Sequence, residues 1–125
     1  MTVASAIKDP AFLARQRGRL EQLRDQLLES DEHAQAQEAT TNEDRGPEAA
    51  EYEDGAQRLE ESEVRQNLQL LHARRLASID RALQKIAAGE YGYSELSGDP
   101  IPLARLEAVP EALLTVAEEE ARERR

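Results

Sequence analysis

Apolar residues recur along this chain in long helical stripes broken by polar punctuation. Asp9 is a good helix N-cap, and Pro10 suits the first helical turn, where its missing N–H is no loss. Leu13, Leu20 and Leu27 then recur at a heptad spacing, with Leu23 between them and Gln16 in the matching polar gap. The pattern predicts a helix from Pro10 to about Ala36. Thr40-Thr41-Asn42 and Arg45-Gly46-Pro47 break the helical period. A second helix is predicted from about Ala56 to Ala88. Leu59, Val64, Leu68 and Leu71 form one stripe on it. Leu76, Ile79, Leu83 and Ile86 form another, and the step from Leu71 to Leu76 reads as a stutter. Gly89 is a natural residue to follow the helix end.

Two helices with matching stripes predict an antiparallel hairpin. A helix of ~30 residues at 1.5 Å per residue is about 45 Å long. Such a pair buries little surface and needs support at its open end. The last quarter of the chain supplies it. Turn residues Gly92 and Ser97-Gly98-Asp99-Pro100 alternate with short apolar pieces, as in a small knuckle. Tyr93, Leu96, Ile101, Leu103, Leu106, Leu113 and Val116 are the candidate core there. A terminal helix is expected from Pro110–Glu111 onward, with Leu113, Leu114 and Val116 on its apolar side and Arg122, Arg124 and Arg125 at its basic end. The fold class is therefore mainly α. The organisation is a coiled-coil hairpin over 9–88, with an acidic tip at about 40–56, and a knuckle plus C-terminal helix over 89–125.

Charge narrows the function classes. The 125 residues carry a net charge of −10, with 34% charged and only 3% aromatic residues. Direct DNA or RNA binding is disfavoured, because phosphates would be repelled rather than shed counterions. The scattered Phe12, Tyr52, Tyr91 and Tyr93 offer no stacking platform. No apolar run is long enough to span a bilayer, and the first residues lack the apolar block of a signal peptide. A soluble, cytoplasmic protein without membrane partners is expected, most simply a monomer. Acids crowd the stretch from Glu29 to Glu63, opposed only by Arg45 and Arg58. Composition alone reads that stretch as solvated loop. No nucleophile has a neighbouring base, and there is no Gly-rich phosphate loop, so the chain is not expected to be an enzyme.

The run RALQKIAAGEYGYSELSGDPIPLARLEAVP carries a family signature. Gly92-Tyr93, Gly98, Ile101-Pro102, Arg105-Leu106, Ala108 and Pro110 stand where the DksA/TraR family has Gly-Tyr-Cys-x-x-Cys-Gly-x-x-Ile-Pro and then Arg-Leu-x-Ala-x-Pro. The chain resembles that family strongly over 74–118 and more weakly through both long helices. The four zinc-binding cysteines of the family fall here on Ser94, Ser97, Thr115 and Glu118, and the chain has no cysteine at all. Structural zinc wants thiolate or imidazole at its four corners. No metal is therefore expected, and the knuckle must be held by packing.

The resemblance implies a partner, core RNA polymerase. In the family, the coiled coil enters the secondary channel and its tip approaches the catalytic magnesium. The family's tip motif Asp-x-x-Asp-x-Ala falls on Glu51, Asp54 and Ala56. With that alignment the acidic stretch reads as a functional tip that alters the stability of the initiation complex. The alarmone ppGpp is a co-regulator in the family, met by basic side chains. The aligned positions here are Ser78, Val109 and Glu119. Arg74, Arg75 and Arg105 are the candidate polymerase or ppGpp contacts, and action with weak ppGpp dependence, or without ppGpp, is expected. Two rivals remain: a transcript-cleavage factor using the same channel, and a structural or adaptor coiled coil with no polymerase role.

Overall fold

The structure, a computed structural model, describes residues 7–44 and 55–124. It is mainly α: α1 spans Pro10–Asp44, α2 Gly55–Ala88, α3 Leu103–Ala108 and α4 Val116–Glu123. Helices α1 and α2 form the antiparallel hairpin. The expected start of α1 is found: Ala11 N–H donates to Asp9 Oδ1 at 3.2 Å, and Leu13 N–H to the Asp9 carbonyl at 3.0 Å. Its end is later than the sequence predicts. Thr40-Thr41-Asn42 lie inside α1, because weak helix formers extend a helix already nucleated over many turns.

By compactness the chain groups into two units, one made of Met1–Arg24 with Arg75–Arg125, the other of Asp25–Arg74. In the first unit, Phe12 and Leu20 of α1 and Ile79 and Ala82 of α2 are buried. Ile7, Tyr91, Ile101, Leu106, Ala112 and Leu114 complete this core. Gln16 fills its polar gap and is fully buried. Its Nε2 donates to Tyr91 Oη at 3.0 Å and to the Leu106 carbonyl at 2.9 Å, and its Oε1 accepts from Arg19 Nη1 at 2.8 Å. Tyr91 Oη in turn donates to the Pro110 carbonyl at 2.8 Å. A buried amide is costly when unpaired, so these bonds are what make glutamine tolerable in the core. Burial raises the Tyr91 phenol above its ordinary pKa, against the hydrogen bond from Gln16 that lowers it.

The second unit departs from the predicted seam. Leu59, Val64, Leu68 and Leu71 are 50–65% exposed. The half-buried side chains of α2 there are Arg58, Ser62 and His72. Those positions continue, in steps of four and three, the phase set by Leu76, Ile79, Leu83 and Ile86. The leucine stripe lies about one residue, or 100°, out of that phase. There is thus no stutter at Leu71: an unbroken helix carries the phase of its tight end into a stretch where the seam is polar. His72 Nδ1 meets Asp31 Oδ1 at 2.7 Å within it.

Two further expectations are corrected in the C-terminal region. Leu96 and Val116 are exposed, and Tyr91 and Leu114 take the buried roles. The terminal helix begins at Val116, not at Pro110, because Thr115 caps it. Thr115 Oγ1 accepts from Glu118 N–H while the Glu118 side chain accepts from Thr115 N–H, a capping box. Among the described residues, no helix is long and apolar enough to cross a membrane.

Candidate functional site

Helix α2 delivers the knuckle through a Schellman turn. Glu90 N–H donates to the Lys85 carbonyl at 2.8 Å and Gly89 N–H to the Ile86 carbonyl at 3.2 Å, with Gly89 at φ +75° as predicted for that position. Tyr93 and Pro100 then form an isolated antiparallel bridge. Ser94 N–H donates to the Asp99 carbonyl at 2.8 Å, and Gly98 N–H to the Ser94 carbonyl at 2.9 Å. Ile101 N–H closes back on the Gly92 carbonyl at 2.7 Å. Gly92 has φ +93°, and a Cβ there would meet the Ile7 side chain at 2.8 Å. The turn signals in the sequence therefore correspond to real tight turns.

The structure brings together Ser94, Thr115 and Glu118. Ser94 Oγ donates to Glu118 Oε1 at 2.6 Å, and Thr115 N–H donates to the same oxygen at 2.9 Å. Glu118 N–H donates to Thr115 Oγ1 at 3.2 Å. Ser94 Oγ accepts from Leu96 N–H at 3.1 Å and from Ser97 N–H at 3.3 Å. Ser97 Oγ accepts from Asp99 N–H at 3.2 Å. The Ser94 hydroxyl, then the Thr115 backbone, hold the Glu118 carboxyl down at about 2, burial opposing, with the Thr115 and Ser97 side chains adding smaller contributions. These residues do not fit a structural zinc ion. Three are neutral hydroxyls already engaged in hydrogen bonds, and the fourth is a single carboxylate. Among the described residues no group of three His, Cys, Asp or Glu side chains converges.

The three candidate arginines differ in their surroundings. Arg75 pairs with Glu111, Nε to Oε1 at 3.0 Å. Arg74 is exposed, and Arg105 is half-buried on α3, where its Nε has no hydrogen-bond partner among the described residues. Ser78, Val109 and Glu119 are half-buried. The tip residues Glu51 and Asp54 lie outside the described residues, in the segment between α1 and α2. Ala56 is described, as an exposed residue in the first turn of α2.

One residue of this region was missed by sequence reasoning. Lys85 is buried, and its Nζ donates to the Tyr93 carbonyl, tying α2 to the knuckle. Burial pushes its pKa down, with Glu95 the leading opposing influence. The signal was there: Lys85 falls three residues after Ala82 and six after Ile79, on the buried face.

No family model matches the chain. Over 50 residues, 40% of this chain, it is 50% identical to the RNA polymerase-binding transcription factor DksA of Caulobacter vibrioides. The match spans 35% of that relative's length. Among solved structures, transcription factor DksA2 from Pseudomonas aeruginosa is 27% identical with a TM-score of 0.71, over 96% of this chain and 89% of that one. The RNA polymerase binding protein and transcriptional regulator Dks from Chlamydia trachomatis is 25% identical with a TM-score of 0.58, over 93% of this chain and 92% of that one.

Proposed function

We infer that this chain, a DksA-family protein, binds RNA polymerase and regulates transcription without catalysing a reaction of its own. The observation that carries the reading is the fold shared over 96% of the chain with a protein described as a transcription factor. The 50-residue match to a relative described as RNA polymerase-binding supports it. In the proposed mode, α1 and α2 enter the polymerase's secondary channel, and the connecting segment presents Glu51 and Asp54 toward the catalytic magnesium. Carboxylates act there through field rather than chemistry. Low-dielectric walls extend the reach of each charge, which competes for groups that organise the active site. A small residue, Ala56, at the start of α2 permits close approach of the channel wall. The net charge of −10 favours a basic protein surface over nucleic acid as the contact.

The proposed dependence on ppGpp is weak. Ser78, Val109 and Glu119 stand where the family resemblance calls for basic side chains, and Glu111 already neutralises Arg75.

The test is a pull-down with core RNA polymerase, then single-round transcription from a promoter with a short-lived open complex, with and without ppGpp. The expected result is co-purification, an effect on transcript yield that ppGpp changes less than twofold, and loss of that effect in Asp54→Asn with binding retained. No co-purification would overturn the polymerase reading. Binding with an unchanged effect in Asp54→Asn would overturn the tip assignment alone.

A further inference from the structure

A structural zinc does two things for a small knuckle. It gathers donor groups at one centre, and it links chain segments that are distant in sequence. The family resemblance places such a centre at Ser94, Ser97, Thr115 and Glu118, which do not fit the metal. We propose that Ser94, Thr115 and Glu118 form a metal-free clasp, in which the Glu118 carboxylate makes the cross-link that zinc makes in the family.

The geometry meets both requirements. Glu118 Oε1 accepts from Ser94 Oγ–H across 24 residues of sequence and from Thr115 N–H beside it. Ser94 Oγ is itself the acceptor for the amides of Leu96 and Ser97. The 94–99 turn and the start of α4 are thereby joined through one oxygen. A parallel backbone link, Glu95 N–H to the Leu113 carbonyl at 2.9 Å, runs beside it.

The polarity of the centre is inverted. Zinc is a cation that collects lone pairs. Here an anion collects hydrogens: the Ser94 hydroxyl and the Thr115 amide donate to Glu118 Oε1, and behind them the amides of Leu96 and Ser97 donate to Ser94 Oγ. A centre lined with donors repels a cation and suits a carboxylate. Hydrogen bonds to an ionised acceptor are also the stronger kind. Glu118 sits besides in the first turn of α4, where the helix dipole favours negative charge. One side chain thus closes the knuckle and starts the helix.

The clasp does not depend on the polymerase reading, and its test needs no polymerase. The purified full chain is assayed for bound metal and for thermal unfolding with chelator or with equimolar zinc. The clasp predicts less than one-tenth zinc per chain and a midpoint unmoved within about 1 °C by either addition. Ser94→Ala and Glu118→Ala each remove the same cross-link, so each lowers the midpoint by roughly 3–8 °C. The double variant falls short of the sum of the two losses, because the second change finds the bond already gone. Stoichiometric zinc, a chelator-sensitive midpoint, single variants with no loss, or strictly additive losses would each overturn the proposal.

Discussion

Glu118 keeps its charge because the Ser94 hydroxyl and the Thr115 amide both donate to one of its oxygens. The sign of the pH effect follows. Its carboxyl is held at about 2 in the folded chain, against an ordinary 4.5. The folded state therefore binds fewer protons than the unfolded state between those values. The stabilisation is fully present above about 4.5 and is lost as pH falls through about 2. Thermal unfolding between pH 6 and pH 2 should show this loss, and Glu118→Gln should flatten that part of the profile. The Thr115-x-x-Glu118 spacing is a capping-box signature readable from sequence alone. Gln16 shows the opposite limit. Its place in a polar gap was legible from the heptad. Its partners were not, because local periodicity says nothing about residues 75 and 90 positions away.

Both long helices, the stop at Ala88 and the glycine turn after it were legible, since caps and periodicity are local. The seam in the Asp25–Arg74 unit was not. Leucines usually mark the buried face, but here the phase is imposed from Ile79 and Ala82, where packing is tight, and the leucines are carried outward. Two glycines illustrate how context separates similar turns. Gly89 and Gly92 both have positive φ, but only Gly92 faces a neighbour, the Ile7 side chain. Gly89→Ala should cost about 1 kcal/mol, the usual left-handed penalty. Gly92→Ala adds a steric clash to that penalty and should cost at least about 2 kcal/mol. Urea unfolding of the two variants side by side checks the order, and equal losses would count against the Ile7 contact.

Across the whole molecule, burial is unevenly shared. Every buried residue among those described belongs to the unit of Met1–Arg24 and Arg75–Arg125. The described seam of the other unit includes Ser62, His72 and Asp31. Local opening free energy follows the density of buried apolar contacts. Amide hydrogen exchange should therefore be slowest around Leu20, Ile79 and Leu106, and at least tenfold faster along 60–70 of α2. Uniform protection across α2 would refute this division.

The bonds of Gln16 to Tyr91 and Leu106 also set a timetable for biosynthesis. The buried face of α1, with Phe12, Gln16 and Leu20, leaves the ribosome first, and its partner Leu106 is made 90 residues later. At ordinary translation speeds that interval is roughly 5–20 s. Until Ile79 and Ala82 follow, the nascent helix has an apolar face that this core does not yet cover, and the Gln16 bonds close only once Leu106 has been made.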